Sequence, residues 1–383
     1  MKTWREAALG LVALSSVGCA TECPSEADNF IEYVVGLGRG ECEPEPSSRL
    51  DGLGDLPGGV EASAAYDTSA DGALVVGASW AEAGSTAVVW SSQTGLVALE
   101  GGRGAAYAVD DAGQTVVGTA LDPAGLPSAA RWRGSLEPDI LSAAQTFQVF
   151  FGEAAAVSGD GRVAAGHVRQ TGSGPIGTVW TEGAPPRNEP NGAIQGASFD
   201  GSVLVGYTPP HRANPWSYAL RNSVPLPYPF LGACTEAGCE PEPCLSPSKC
   251  EARALDVSAD GAIVVGGATL FEGDLQVAVQ WHVSADGSVV TTILPGESPA
   301  QALAVSGDGR VVVGYQTVAG QRMATRWIDG TPTSVASALA DAGVSLDGWS
   351  LTIARGTSPD GSVIVGEGIN PLGQREGWRA ILR

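Results

Sequence analysis

Charge, aromatic rings and histidine are all scarce in this chain. Of its 383 residues 16% are charged and 6% aromatic, with 2 Met and 3 His. Long helices and coiled coils need far more charge, and they tolerate far less Gly and Pro than the 53 and 25 found here. No G-x-y period accompanies the glycine, which excludes collagen. Basic residues are the scarcest charge: Lys+Arg is 21 against Asp+Glu 42, a formal charge of −21. Such a surface repels nucleic-acid phosphates and anionic lipid, so neither is an expected partner. The catalytic signatures His-Glu-x-x-His, G-x-S-x-G, the phosphate-cradling G-x-x-x-x-G-K and the EF-hand loop are missing as well.

The N-terminus is present in a recognisable form. Lys2 and Arg5 precede the apolar run Ala7 to Leu14, and Ser15-Ser16-Val17-Gly18 leads into Cys19. A charged start, a short apolar stretch and small residues make a secretory signal over residues 1–18, and eight apolar residues fall well short of the roughly twenty that span a bilayer. The site resembles the lipobox of bacterial lipoproteins, which implies lipidation at Cys19. Ser16 stands where that family usually has Leu, and Glu6 is foreign to its charged region. Ala20 after the Cys resembles outer-membrane cargo, so the expected location is the outer membrane or cell surface, or the extracellular space without the lipid. The other six cysteines, Cys23, Cys42, Cys234, Cys239, Cys244 and Cys250, are an even set in an exported chain and are expected in disulfides. Cys23 and Cys42 stand apart and are expected to pair. The other four allow three connectivities, and they lack the C-x₂-C spacing and neighbouring His of a zinc site.

From residue 64 onward one phrase recurs seven times. It reads Ala65-Tyr-Asp-Thr-Ser-Ala-Asp71-Gly72-Ala-Leu-Val-Val-Gly77 in the first copy. Its first glycines are Gly72, Gly113, Gly161, Gly201, Gly261, Gly309 and Gly361, and a second glycine follows five residues after each. Intervals of 41, 48, 40, 60, 48 and 52 residues match the period of a propeller blade. Ser-x-Asp-Gly between β-rich runs is a hairpin turn, and Val-Val-Gly closes a strand too short and too β-branched for a helix. A Trp follows 15 to 20 residues after each first glycine, at Trp90, Trp132, Trp180, Trp216, Trp281, Trp327 and Trp378. Recurrence in every copy assigns these to packing between blades. Four strands per unit predict an all-β fold, a seven-bladed β-propeller of about 45-residue blades. Six blades follow instead if the divergent copy four is an insertion. The chain ends one strand short of a blade, so residues 51–57 are expected to supply the missing strand and close the ring by pairing N- and C-terminal strands. The expected organisation is a signal at 1–18, a lipid-attached tether at 19–50 with a short helix at 25–37, and a propeller at 51–383 carrying a disulfide-rich insert at 231–250. Thr333 to Ala342 reads as a short helix capped by Thr333 or Ser334 and stopped at Gly343, with Val335 and Leu339 inward.

Leu53-Gly-Asp-Leu-Pro-Gly-Gly59, then Ala-x-x-x-Ser-Ala-Asp-Gly-x-x-Val-Val-Gly, then a strand ending Ala-x-x-Trp, resembles the HAF-repeat extracellular proteins and related repeats of autotransporter passenger regions. The last copy is the best match, through Ser358-Pro-Asp-Gly-Ser-Val-Ile-Val-Gly366 and Asn370 to Trp378. The resemblance covers about residues 51–383 and implies fold, since that family has no shared reaction.

Sites are few. Asp71, Asp160, Asp200, Asp260, Asp308 and Asp360 belong to the turns, expected one per blade and far apart, whereas glycoside hydrolysis needs carboxylates about 5–10 Å apart. His167 is expected on a surface turn. Candidate ligand contacts are Trp80, which lies outside the repeated Trp register, and Tyr207, His211 and Trp216 around a loop. No catalytic residue, cofactor or metal is assigned. The expected activity is that of a lipid-anchored, monomeric, non-enzymatic binding or scaffolding module for a glycan or envelope protein. The alternative is a polysaccharide hydrolase or lyase with its site in the central funnel.

Overall fold

The computed structural model describes residues 47–383 apart from 59–61, 83, 143–148, 173, 190–191, 208–216, 222–223, 227–251, 271–274 and 287. The signal, the lipidated Cys19, the tether to residue 46, all six remaining cysteines, His211 and Trp216 lie outside the described residues.

Each repeated phrase builds a hairpin. In the first copy Ser69 Oγ donates to Asp71 Oδ1 at 2.6 Å and accepts from Leu74 N at 3.0 Å, while Ser69 N donates to Leu74 O at 2.9 Å. The same Ser–Asp bond recurs at Asp160, Asp200, Asp260, Asp308 and Asp360. In copy two Asp110 takes the serine's place and accepts from Gln114 N and Thr115 N. The two glycines of the phrase have different causes. The first sits at φ +67 to +76°, where only glycine is unstrained, and in five copies a Cβ on it would lie within 2.6 Å of Val363, Val163, Val203, Ile263 or Val311 of the preceding sheet. The second faces a carbonyl oxygen of the partner strand, 1.8 to 2.1 Å from where its Cβ would be.

That close approach comes from a β-bulge. In every copy the first strand carries one extra residue opposite the second glycine: Tyr66, Tyr107, Ala155, Gln195, Leu255, Leu303 and Arg355. A bulge re-aims the extra side chain and pushes the neighbouring backbone out of line, which explains both the glycine and the exposure of the bulged residue.

Among the described residues the strands form seven four-stranded antiparallel sheets, each with its strands in chain order except the last. The first is Ser63–Thr68, Val75–Ala81, Gly84–Ser91 and Gly95–Arg103. Copy four builds a sheet of its own from Ala193–Ala197, Val203–Tyr207, Ser217–Arg221 and Val224–Leu226. In the last sheet Ser350–Thr357, Val363–Ile369 and Arg375–Ile381 are completed by Arg49–Gly52, whose residues pair with Ile381 back to Trp378. The joining strand thus starts two residues earlier than the expected 51–57 and ends at Gly52. Beyond it Leu53 N still bonds Gly377 O, and the chain then turns towards the first sheet. Arg379, 2% exposed, fastens this junction: it bonds Asp51 Oδ2 at 2.8 Å and Gly72 O at 2.6 Å and stacks over Trp90.

Neighbouring sheets pack face to face around a central axis, a β-propeller, and the last sheet packs against the first. Among the described residues the core divides into seven apolar clusters, each shared between adjacent sheets. Trp132 sits with Val76 and Val89, Trp327 with Val265 and Ala278, and Trp378 with Val313 and Ala324. Several indoles also reach the preceding sheet: Trp132 Nε1 donates to Glu100 O, Trp180 to Ser142 O and Trp327 to Pro295 O. The helix Val335–Asp341 is capped by Ser334, whose Oγ accepts from Ser337 N, and buries Val335 and Leu339 as expected.

Backbone hydrogen bonds join neighbouring turns. Ala70 N donates to Asp111 O, Asp111 N to Gly159 O, Asp160 N to Phe199 O, Phe199 N to Ala259 O, Ala259 N to Gly307 O and Gly307 N to Pro359 O. Pro359 has no N–H to continue to Ala70, so the belt of turns is interrupted at the junction that Arg379 fastens.

Candidate functional site in the central channel

The first strand of each sheet is the innermost, and the bulged residues of all seven line one cavity of about 390 Å³ on the axis. Their order around the wall is uneven. Arg355, Tyr66 and Tyr107 are neighbours on one side, Gln195 follows beyond the small Ala155, and Leu255 with Leu303 forms an apolar stretch. Tyr66 and Tyr107 lie with ring centroids 5.6 Å apart, and the Arg355 guanidinium stands 5.3 Å from the Tyr66 ring. Arg355 Nη2 donates to Glu367 Oε1 at 2.9 Å, and its buried Nε has no partner. Glu367 also takes Arg375, which stacks 4.6 Å over the ring of Trp80. A continuous set of contacts therefore runs from Trp80 through Arg375, Glu367 and Arg355 to Tyr66 in the wall.

Burial shapes the acids of the channel. Asp67 and Asp256 follow the bulges of the first and fifth sheets. Each accepts two backbone N–H groups, Thr68 and Val109 for Asp67, Val257 and Val305 for Asp256, at 2.8 to 2.9 Å. Val109 and Val305 belong to the next sheet, so these carboxyls join blades. Desolvation outweighs the N–H donors and pushes both pKa values up to about 7. The equivalent positions are Ala108, Ala156 and Ala304 or Gly196 and Gly356; the two glycines immediately precede the sheets with Asp, where a Cβ would meet Asp256 Cα at 2.8 Å or Tyr66 O at 2.6 Å. Glu153 lies further from the belt of turns, and burial raises it to about 6. Burial also raises the phenols of Tyr66 and Tyr107.

His167 is not on a surface turn. It lies in the strand Val163–Gln170, 5% exposed, with Nδ1 3.8 Å from Glu153 Oε1, beside Phe151, and neither ring nitrogen has a hydrogen-bond partner. Desolvation and then Arg169 lower its pKa to about 4, so it is neutral at physiological pH. The mistaken placement has a physical source: His167 follows the second glycine of its copy, but the strand continues past that glycine instead of turning.

Of the ligand contacts expected from sequence, Trp80 and Tyr207 stand at the ends of second strands on the channel face away from the belt. Neither lines the cavity, Trp80 lying under Arg375 and Tyr207 under Arg253. The wall residues themselves were missed. Their signal was positional: each bulged residue lies three before the first turn residue, one of several places in the phrase where side chains change from copy to copy, alongside the second turn residue and the residue after the first glycine.

No family model matches the chain, and no curated relative does. Among solved structures it is similar to oligogalacturonate lyase from Vibrio parahaemolyticus, at 10% identity and a TM-score of 0.55, covering 88% of this chain and 98% of that one. An oligogalacturonate lyase in complex with manganese gives 12% identity and a TM-score of 0.52 over 88% and 97%. TolB from Acinetobacter baumannii gives 13% and 0.45 over 72% of this chain, which spans 64% of its length. The two lyase similarities support the β-propeller fold and nothing of activity.

Proposed function

We propose that the chain is an exported, lipid-anchored propeller of the HAF-repeat type, its seven sheets acting as seven blades closed by the N-terminal strand. It works as a non-enzymatic binding or scaffolding module at the bacterial surface and holds its ligand in the mouth of the central channel. The observation that carries this reading is the bulge set: one side chain per sheet, all seven lining one cavity on the axis, and of five chemically different types. A rigid ring whose varied side chains converge on one cavity is suited to present a site. Cys19 supplies the anchor, and the cysteine-rich insert staples the loop between copies four and five.

A second reading has one specific observation in its favour. Glu153, which lines the cavity and is raised to about 6, suits a general acid, and two solved structures of similar fold are oligogalacturonate lyases. The test is a screen of residues 20–383 against glycans and envelope extracts, with released sugars and peptides followed in parallel. Retention of a ligand without product, lost on plugging the channel with Ala155→Trp, is expected. Product release abolished by Glu153→Gln would replace the binding reading with the enzymatic one.

A further inference from the structure

The two faces of the ring differ in charge. The belt of turns carries Asp71, Asp111, Asp160, Asp200, Asp260 and Asp308 and their kin, whereas arginines gather at the opposite mouth, each stacked on an aromatic ring: Arg355 on Tyr66, Arg375 on Trp80, Arg169 on Phe151, Arg253 on Tyr207. The guanidiniums of Arg355 and Arg375 act on Tyr66 and that of Arg169 on Glu153, while Glu153, Asp67 and Asp256 line the same cavity as Arg355. Arginine binds a carboxylate in its guanidinium plane, and a stacked, pre-oriented arginine loses little freedom in doing so.

Resting on the channel reading above, we propose that the mouth binds a small monoanionic carboxylate, its charged group at Arg355 between Tyr66 and Glu367 and its less polar body against Leu255 and Leu303. Among the described residues Arg355 is the one basic side chain lining the cavity, which suits a ligand with a single negative charge. A phosphate dianion would meet Glu153, Asp67 and Asp256 as well, all of which line the same cavity. Two sources carry this chemistry, a uronic acid and an aliphatic acid, and the wall has features for each: tyrosine faces for a sugar ring, leucines for a chain.

The direct test is calorimetric titration of the folded chain with glucuronate and hexanoate and with their uncharged counterparts, glucose and hexanamide. One acid is expected to bind at least tenfold more tightly than its uncharged partner. Arg355→Met should abolish that preference while Arg355→Lys keeps part of it, with thermal unfolding recorded for each variant to show that the ring is intact. Glucuronate as the tighter acid identifies a sugar ligand, hexanoate an aliphatic one. Equal binding of acid and uncharged partner, or an acid preference unchanged in Arg355→Met, overturns the carboxylate. If such charge-blind binding is still lost in Ala155→Trp or Leu303→Trp, the channel reading survives alone. If neither acid saturates by roughly 10 mM, a dissociation constant beyond any useful small-ligand site, the proposal falls outright.

Discussion

The turn and the bulge lie three residues apart on the same strand, each repeated seven times, and they behave oppositely. At the turn, serine, aspartate and glycine recur in six copies because the Ser–Asp bond and the positive-φ glycine favour them, and in copy two Asp110 supplies the acceptor instead. At the bulge the residue is Tyr, Tyr, Ala, Gln, Leu, Leu or Arg. The backbone requirement there falls on the facing glycine, so the bulged side chain is free. Repetition marks what the ring needs to exist, and departure from repetition marks what it can use.

The strongest way to break this contrast is at the second glycine. Gly118→Val would drive a Cβ to 2.0 Å from Ala105 O. The bulge cannot keep its geometry, and overpacking against backbone rather than a movable side chain should cost at least about 3 kcal/mol, read from urea denaturation. A loss under about 1 kcal/mol would mean that the bulge is not what fixes the glycine.

Next in size is the pH dependence set by Asp67 and Asp256, the two positions beside the bulge that depart towards charge. Folded, they hold protons to about pH 7; unfolded, they release them near 3.8. The folded state therefore binds more protons between these values, and their contribution is full below about pH 4 and lost as pH rises through 7. Glu153 and Asp111, raised to about 6, act in the same direction, while His167, lowered to about 4, opposes them below its unfolded pKa of 6.5. The urea midpoint should fall from pH 5 to pH 8, and fall less in Asp67→Ala/Asp256→Ala, which installs the residue that Ala108, Ala156 and Ala304 already supply. An unchanged slope would assign the dependence to other groups.

A smaller effect is expected at the turn. Ser258→Ala removes the acceptor of Ile263 N and the donor to Asp260 Oδ1, at 2.9 and 2.7 Å. Leaving one buried N–H without a partner should cost about 1–2 kcal/mol. Because the belt bonds run through backbone, the hairpin should keep its place, which amide exchange at Ala259 and Gly307 would report.

The repeat made the turns, strands, Trp packing and short helix legible, since each follows from spacing and local propensity. The tie of an N-terminal strand to the last sheet was anticipated from a missing strand and an orphan segment, but it is made by Arg49–Gly52, which shares only Asp51 and Gly52 with the expected 51–57. The channel wall was not legible, because a bulge inverts the alternation by which strand faces are read, and nothing in Ala65-Tyr-Asp-Thr announces the extra residue. The acids Asp67 and Asp256 were hidden for the same reason. His167 was misplaced because a strand's end leaves no mark when β-branched and polar residues continue past the glycine.

The smallest effect should come from the bulge itself. Leu303 is half-buried in the wall, bounded by the cavity on one side, so truncating it removes apolar contact without opening an enclosed void. Leu303→Ala should cost less than about 1 kcal/mol, well below the 2–5 kcal/mol typical of a closed core. Its partner in the comparison is Leu339, also a leucine but fully buried in the helix of the last interface, where the same change should cost the full core amount. Equal losses at the two leucines would show that the channel wall is packed as a core, and the freedom of the bulged positions would then need another cause.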